Sequence, residues 1–475
     1  MALHVLLTVH QFLPEYASGT EVLTYSVASE LMRRGHRVSV FTAFPTTAPL
    51  ADGARFDQVE YQGIDVYRFH HDRVPMGGQS VTMELEYINK LSAHYFAELI
   101  ARIKPDILHC FHLSRLGICL IDGAAAAGLP AYYTPTDFWS VCPTYRLILE
   151  DGSACAGPSR NAGNCVRHLM STMRGGRAAS FARFVPDAVA DAAAKLTVDG
   201  MLPPYPFHQD VAAVARRKDF NTARLNALHG IVSPTRMMTA VLVGNGVDRR
   251  LIRQSAYGID LDGYDKYPRH ARGSGAVKFG FIGTLSPHKG CHVLIDAFRH
   301  VEPGRARLYV YGNTREFPGY SDALERRAAG IGGVEFCGTF ANDRIAEIFA
   351  GLDVLVVPSL WHENTPLVIY SAMASKCPVV GSDFSGISEV VRDGRNGLLF
   401  PSGDVMGLAE RLNRLAGDRA LLDRLSANCP PPKSTQDYVA ELLDLYAARD
   451  TAVAGRREIP ETTAVAAPVD PCRTS

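Results

Sequence analysis

The chain has 475 residues, with forty-nine basic and forty-nine acidic side chains, 47% apolar and 21% charged. That length exceeds what one core organises and predicts two domains of about two hundred residues each. The cancelling charge argues against a dedicated nucleic-acid binder. No uninterrupted run of about eighteen apolar residues implies a bilayer span. Residues 1–9 lack a basic n-region and read as a first strand, not as a signal peptide. A cytoplasmic location is the default expectation, in which the ten cysteines are mostly thiols or ligands and not disulfides.

In chain order, residues 4–9 read as a strand and 20–34 as a helix closed by Gly35. Ser18-Gly19-Thr20-Glu21 occupies the turn between them, where Gly19 lets backbone approach a ligand and the helix start favours an anion. Strand candidates at 38–41, 64–68, 107–110 and 131–134 alternate with helical stretches at 86–104 and 116–127, the pattern of a parallel sheet wound on both faces. Pro135-Thr136-Asp137-Phe138-Trp139 follows the last of these, at a strand's carboxyl end, where open α/β sheets present ligand-binding groups. Asp137 reads equally as a cap for the next turn.

Cys142, Cys155, Cys165 and His168 are the right ligand types for tetrahedral zinc. Their spacing matches no zinc module, so they are read as partly buried thiols with metal binding as the alternative, and no metal is assigned. Residues 167–226 lack strand signals and read as several helices broken at Leu202-Pro203-Pro204-Tyr205-Pro206. There Arg167, Arg174, Arg177 and Arg183, interleaved with Leu169, Met170, Phe181 and Phe184, form a basic amphipathic face. Such a face suits an anionic membrane surface and a lipid-linked partner, or is simply solvated. Gly230-Ile231-Val232-Ser233-Pro234 closes the first half, followed by a helix at 237–243 and a polar linker at 262–274.

The second half opens with a strand at 277–282 and the loop Gly283-Thr284-Leu285-Ser286-Pro287-His288-Lys289-Gly290. Strands at 308–311 and 334–336 follow, the latter ending in Gly338-Thr339-Phe340, then a helix at 343–350. Residues 354–357 form an apolar run too short for a helix and bounded by Pro358-Ser359, hence a buried parallel strand. Beyond it stand Trp361, His362, Glu363, Asn364 and Thr365, and an apolar helix begins with Pro366 in its first turn. A carboxylate beside a helix N-terminus can hold a polyhydroxylated ligand together with its phosphate. Ser385-Gly386-Ile387-Ser388-Glu389 repeats the arrangement after the strand at 378–381. Helices at 404–415, 420–428 and 435–449 complete the pattern, and 452–475 has the composition of a disordered tail.

The series Pro358-Ser359, Glu363, Pro366-Leu367-Val368, Ala372-Met373-Ala374, Pro378-Val379-Val380, Gly386 with Glu389, and Gly394 with Asn396-Gly397 resembles the donor-binding half of the retaining glycosyltransferases of family 4. The resemblance implies an α/β GT-B fold, two Rossmann-like doubly wound domains facing a central cleft. It implies an acceptor-side domain at 1–265 with a helical insertion at about 167–226, a nucleotide-sugar domain at 275–430 and a crossover helix at 434–449. The implied activity is metal-independent retaining transfer of a sugar from a nucleotide diphosphate to a hydroxyl acceptor, with no separate cofactor, in glycan or polysaccharide synthesis. By the same resemblance Glu363 binds the donor sugar and Lys289 its diphosphate. Gly19, Gly283, Thr284, Asn364, Thr365, Pro366 and Leu367 line the phosphates, Phe340 the base and Ser371 the ribose, and Asp137 completes the catalytic set. Four positions depart from the family: Thr20 for a second glycine, Thr136 for a His that touches the sugar, Thr284 for an Arg and Ser371 for the second Glu of a pair. Losing the Arg removes a charged hydrogen bond of roughly 1.5–3 kcal/mol. A degenerate homologue that binds nucleotide or a partner without turnover is the alternative. A dinucleotide oxidoreductase would need Gly-x-Gly-x-x-Gly after a strand, and neither Gly19 nor Gly283 opens one.

Overall fold

The computed structural model describes residues 2–72, 76–149, 151–173, 184–267 and 275–448. They divide into two compact α/β units, one running to Ala256 and resuming at Tyr438, the other Tyr257–Asp437. The first unit holds β1 (His4–Val9), β2 (Arg37–Pro45), β3 (Phe56–Tyr61), β4 (Ile64–His71), β5 (Ile107–Cys110), β6 (Ala131–Tyr133), β7 (Gly230–Ser233) and β8 (Ile252–Gln254). They lie in the order β3-β4-β2-β1-β5-β6-β7-β8, parallel except for the β3–β4 pair. The second unit holds β9 (Val277–Ile282), β10 (Ala306–Tyr311), β11 (Val334–Gly338), β12 (Val354–Val357), β13 (Val379–Ser382) and β14 (Gly397–Phe400) in the order β11-β10-β9-β12-β13-β14.

Both sheets reverse their winding beside their first strand. In the first unit the chain leaves β1 toward β2 and returns to β5 on the other side, and in the second it leaves β9 toward β10 and returns to β12. The reversal opens a crevice at the strands' carboxyl ends, where ligands bind in sheets of this kind. The central strands are buried on both faces, which accounts for the continuous apolar runs in β1, β5, β12 and β13.

The expected strands at 107–110, 277–282 and 354–357 coincide with β5, β9 and β12. Three strands escaped the sequence reading. β3 carries Asp57, Gln58 and Glu60 along an edge, and β8 and β14 are short edge strands. The helix expected at 86–104 starts only at Lys90 (Lys90–Ile103), because the Asn89 side chain accepts the Ser92 N–H at 3.0 Å and caps it. The one expected at 116–127 shortens to Leu120–Ala126, since Gly117 sits at φ +86°. Helices Gly163–Met173, Asp187–Val198 and His208–Leu225 occupy the helical segment. Arg174, Arg177, Phe181 and Arg183 lie outside the described residues, as do 268–274 and the 452–475 tail. Arg167 is not free to form a basic face, being held by Asp187 at 2.9 Å and by the Val185 carbonyl at 3.0 Å, and Leu169 is buried.

From Tyr438 the last helix (Thr435–Ala447) packs in the first unit, where the Tyr446 hydroxyl meets His109 Nδ1 at 2.7 Å. His109 Nε2 lies 2.8 Å from Thr134 Oγ1, and burial lowers this imidazole from 6.5 to about 3. The unfolded chain therefore takes up the His109 proton below about pH 6.5 while the folded one refuses it until about pH 3, so stability falls with pH across that window. We expect the melting temperature to drop progressively below pH 6.5, and His109→Gln to flatten that acid slope while lowering the melting temperature at pH 7.5. An unchanged slope in the variant would assign the acid sensitivity elsewhere.

Candidate active site

In the second unit the loops after β9, β12 and β13 converge on Glu363. The β9 loop packs directly on the end of β12. Gly290 has φ +72°, a Cβ there would stand 1.8 Å from the Pro358 carbonyl oxygen, and the Leu360 N–H donates to the His288 carbonyl at 2.8 Å. The β13 loop packs on the other side, where a Cβ at Gly386 would stand 1.5 Å from the Glu363 carbonyl oxygen. Only glycine fits either approach. Thr365 sits in the left-handed region at φ +52°, a costly conformation for a β-branched residue. Its hydroxyl donates to the Gly386 carbonyl at 2.9 Å and holds it there.

This packing turns the Glu363 carboxylate inward at 4% exposure. Its Oε1 accepts three hydrogen bonds, each 2.7 Å, from Lys289 Nζ, Ser359 Oγ and Trp361 Nε1. Lys289 Nζ also stands 5.1 Å from the centre of the Trp361 ring, a cation–π approach. Among the described residues none hydrogen-bonds Oε2, so one carboxylate oxygen is saturated and the other is available. Immediately beyond, helix Leu367–Ala374 begins, with Pro366 as its N-cap and not, as expected, inside the first turn. First-turn N–H groups have no acceptor within their own helix.

The remaining expected residues lie at other positions of the second unit or in the first unit. Gly283 directly follows β9, and among the described residues a Cβ there would meet only the Phe281 ring at 3.9 Å, so internal packing does not demand the glycine. Thr284 follows it, its carbonyl accepting the Ser286 N–H at 2.9 Å. The Asn364 carboxamide donates to the Tyr257 hydroxyl at 3.0 Å. Ser371 is buried beside Tyr264, whose phenol burial raises and the Ser371 hydroxyl partly lowers again. Phe340 is half-buried with its ring edge-on to Tyr311 at 5.5 Å.

Gly19 and Asp137 belong to the first unit. Gly19 opens helix Gly19–Arg33, where the Ser18 N-cap makes no side-chain bond. Asp137 Oδ1 accepts the Trp139 N–H at 2.7 Å, the capping role read as an alternative, while Oδ2 lies 3.0 Å from His112 Nε2. His112 Nδ1 accepts the Ser114 N–H at 3.1 Å, which makes Nε2 the protonated nitrogen facing Asp137. The sequence reading missed His112. Thr136 does not take the imidazole's place, since its hydroxyl is turned to the Phe111 carbonyl at 3.3 Å. The signal was a polar residue just past the end of β5.

His112 is part of a larger polar cluster at the first sheet's reversal. His10, directly after β1, has its ring 4.2 Å from that of His112, and its Nε2 is 3.5 Å from Glu21 Oε1. Glu21 is fully buried, and neither of its carboxylate oxygens is hydrogen-bonded among the described residues. Burial pushes the Glu21 carboxyl up, and burial, His112 and Arg115 hold the His10 imidazole well below its usual value. Both groups are therefore driven toward their neutral forms.

A fold of two such sheets, each with polar groups at its reversal, is the GT-B architecture. The family described as glycosyl transferases group 1 matches residues 276–418, and the glycosyl transferase 4-like domain matches 18–199. The chain belongs to this group 1, family 4-type lineage of glycosyltransferases. It is 30% identical over 236 residues to D-inositol 3-phosphate glycosyltransferase of Nocardia farcinica, covering 44% of this chain and 52% of that protein. It is also 30% identical over 178 residues to phosphatidyl-myo-inositol mannosyltransferase of Mycobacterium leprae, covering 36% and 46%. The chain thus spans about half the length of these relatives. Among solved structures, HepE of Anabaena with UDP and glucose superposes with a TM-score of 0.60 at 17% identity, covering 93% of this chain and 99% of that one. Sucrose-phosphate synthase of Thermosynechococcus elongatus gives 0.62 at 16%, covering 95% and 100%.

The two glycines make opposite predictions. Gly386→Ala drives a methyl into the Glu363 backbone and should destabilise the protein by about 1–3 kcal/mol, read as a lowered melting temperature. Gly283→Ala should melt like the parent. Equal melting of all three would contradict the packing described around Glu363.

Proposed function

We propose that the chain is a retaining glycosyltransferase that moves a sugar from a nucleotide diphosphate donor to a hydroxyl acceptor in glycan or polysaccharide synthesis. The observation that carries this reading is the half-saturated carboxylate of Glu363, with Lys289 on Oε1 and Oε2 open, beside a helix N-terminus at the second sheet's reversal. Oε2 accepts hydrogen bonds from donor-sugar hydroxyls. Lys289 Nζ and the N–H groups at the start of the helix stabilise charge on the departing diphosphate. The bond between the anomeric carbon and the phosphate oxygen breaks, the acceptor oxygen bonds to that carbon on the same face, and the acceptor's proton passes to the leaving phosphate.

In this reading Gly283 leaves room for phosphate, since among the described residues no side chain requires its absence of a Cβ. Thr284 offers a hydroxyl where the family has a cation. Phe340 packs on the base and Ser371 reaches the ribose. His112, just past β5, and Asp137 offer their polar groups to acceptor hydroxyls, with an imidazole that does not come from Thr136. Because the HepE structures contain UDP or UDP-glucose, a uridine donor heads the trial. Two relatives are named for inositol-bearing acceptors, so inositol phosphates and phosphatidylinositol lead the acceptor trial. Exposed Phe184, Met201 and Phe207 in the helical segment support a lipid-linked acceptor met at a membrane surface. Among the described residues no helix is long and apolar enough to cross a membrane.

Calorimetric titration with UDP, GDP and ADP, with and without EDTA, tests the reading. One nucleotide should bind at micromolar concentration, indifferent to EDTA, and Lys289→Ala should weaken it at least tenfold, about 1.4 kcal/mol. Failure of all three to bind would overturn the donor site and favour a degenerate homologue.

A further inference from the structure

The segment through which the chain enters the second unit reaches the loop beside Glu363. Tyr257 is the first residue of that unit, and its hydroxyl accepts a hydrogen bond from the Asn364 carboxamide at 3.0 Å. Both side chains are buried. The family resemblance assigns Asn364 to the phosphates, yet its carboxamide is turned into the protein, so what this side chain gives the site is position.

Tyr257 is itself held. Two residues on, the Ile259 N–H donates to the Lys433 carbonyl at 3.1 Å and the Ile259 carbonyl accepts the Thr435 N–H at 2.8 Å, forming a parallel bridge between Ile259 and Ser434. The entering segment is thereby fixed to the stretch through which the chain leaves the unit before Tyr438. Seven residues beyond Tyr257, Tyr264 lies against Ser371 of helix Leu367–Ala374. The same segment thus braces both the loop that carries Glu363 and the helix that follows it.

Asn364 stands between two residues that are tied elsewhere. Glu363 and Thr365 are both set against Gly386, the first by its carbonyl and the second by its hydroxyl. Tyr257 anchors the residue between them from a different part of the fold. Thr365 at φ +52° keeps a conformation that persists only where its surroundings over-determine it. Without the Tyr257 hydroxyl the buried Asn364 carboxamide loses an acceptor, and a buried polar group left unpaired is costly enough to draw its loop toward another partner. The turn into the helix start moves with it.

We propose that Tyr257 is a positioning residue for sugar transfer: its hydroxyl, acting through Asn364, sets the direction of the helix start at 365–367 toward the departing diphosphate. The inference rests on the sugar-transfer reading above and adds a residue from outside the three loops that converge on Glu363. The N–H groups of the helix start act most strongly on charge that appears as the phosphate departs. Misdirecting them therefore costs turnover more than donor binding.

Turnover would be measured with the nucleotide sugar that the parent consumes. Tyr257→Phe should melt close to the parent, lower kcat at least fivefold and raise the donor KM less than twofold. Asn364→Ala should lower kcat at least as far, and the double variant no further than Asn364→Ala alone, because both substitutions break one hydrogen bond. Losses that multiply in the double variant would overturn the proposal, as would a parental kcat in Tyr257→Phe. A second readout needs no donor. The chain has two tryptophans, and Trp361 stands three residues before Asn364 with its indole on Glu363. In protein labelled with 5-fluorotryptophan, Trp361→Phe identifies the Trp361 fluorine signal, which Tyr257→Phe should shift or broaden while leaving that of Trp139 unchanged. An unmoved Trp361 signal would overturn the proposal. If the parent transfers sugar from no donor while that signal responds, the sugar-transfer reading falls and the Tyr257 anchor stands.

Discussion

One carboxylate oxygen, Glu363 Oε1, accepts hydrogen bonds from an ammonium, an indole and a hydroxyl. Ser359 and Trp361 come from Glu363's own loop, and Lys289 comes from the loop after β9, seventy-four residues away in sequence. The arrangement needs those loops closer together than any side chain at Gly290 or Gly386 allows. Backbone packing therefore sets the direction of the carboxylate, and the three donors lock it. Hydrogen bonds to a charged group contribute roughly 1.5–3 kcal/mol each, and removing one partner of a nearly buried pair costs more than the pair contributes. The open oxygen and the neighbouring helix start inherit this rigidity, so the proposed transfer meets a preorganised centre.

The first unit has the same topological opportunity and fills it differently. At its reversal between β1 and β5 stand two imidazoles and two carboxylates, with His112 oriented by Ser114 and Asp137 while Glu21 makes no hydrogen bond among the described residues. A buried carboxylate without a hydrogen bond carries a desolvation cost. Within this unit the contrast is informative: the His112–Asp137 pair is fixed in tautomer and direction, whereas burial disfavours the charged forms of both His10 and Glu21.

The central strands were legible because strands covered on both faces must be continuously apolar, which the sequence states directly at 277–282 and 354–357. Edge strands need not be, and β3, with Asp57, Gln58 and Glu60, gave no such signal. The candidate site was legible where it is contiguous, from Pro358 through Leu367. What the sequence withheld are contacts between distant loops: the pairing of Lys289 with Glu363, the Gly386 contact with the Glu363 carbonyl, and the approach of His112 to Asp137. Thr136 illustrates the limit. Its own segment carries no imidazole, and the contact of its neighbour Asp137 with His112, just past β5, joins residues twenty-five positions apart.

The most direct test of the account is release of nucleoside diphosphate from a panel of nucleotide sugars, compared between the parent protein and Glu363→Gln. The substitution keeps the shape of the side chain and removes the charge that Lys289 pairs with. The account predicts that the parent consumes one donor, that the variant loses at least a hundredfold in turnover, and that the variant still binds the nucleoside diphosphate product. Equal turnover by the two proteins would contradict the role of Glu363 and with it the centre built around Oε1.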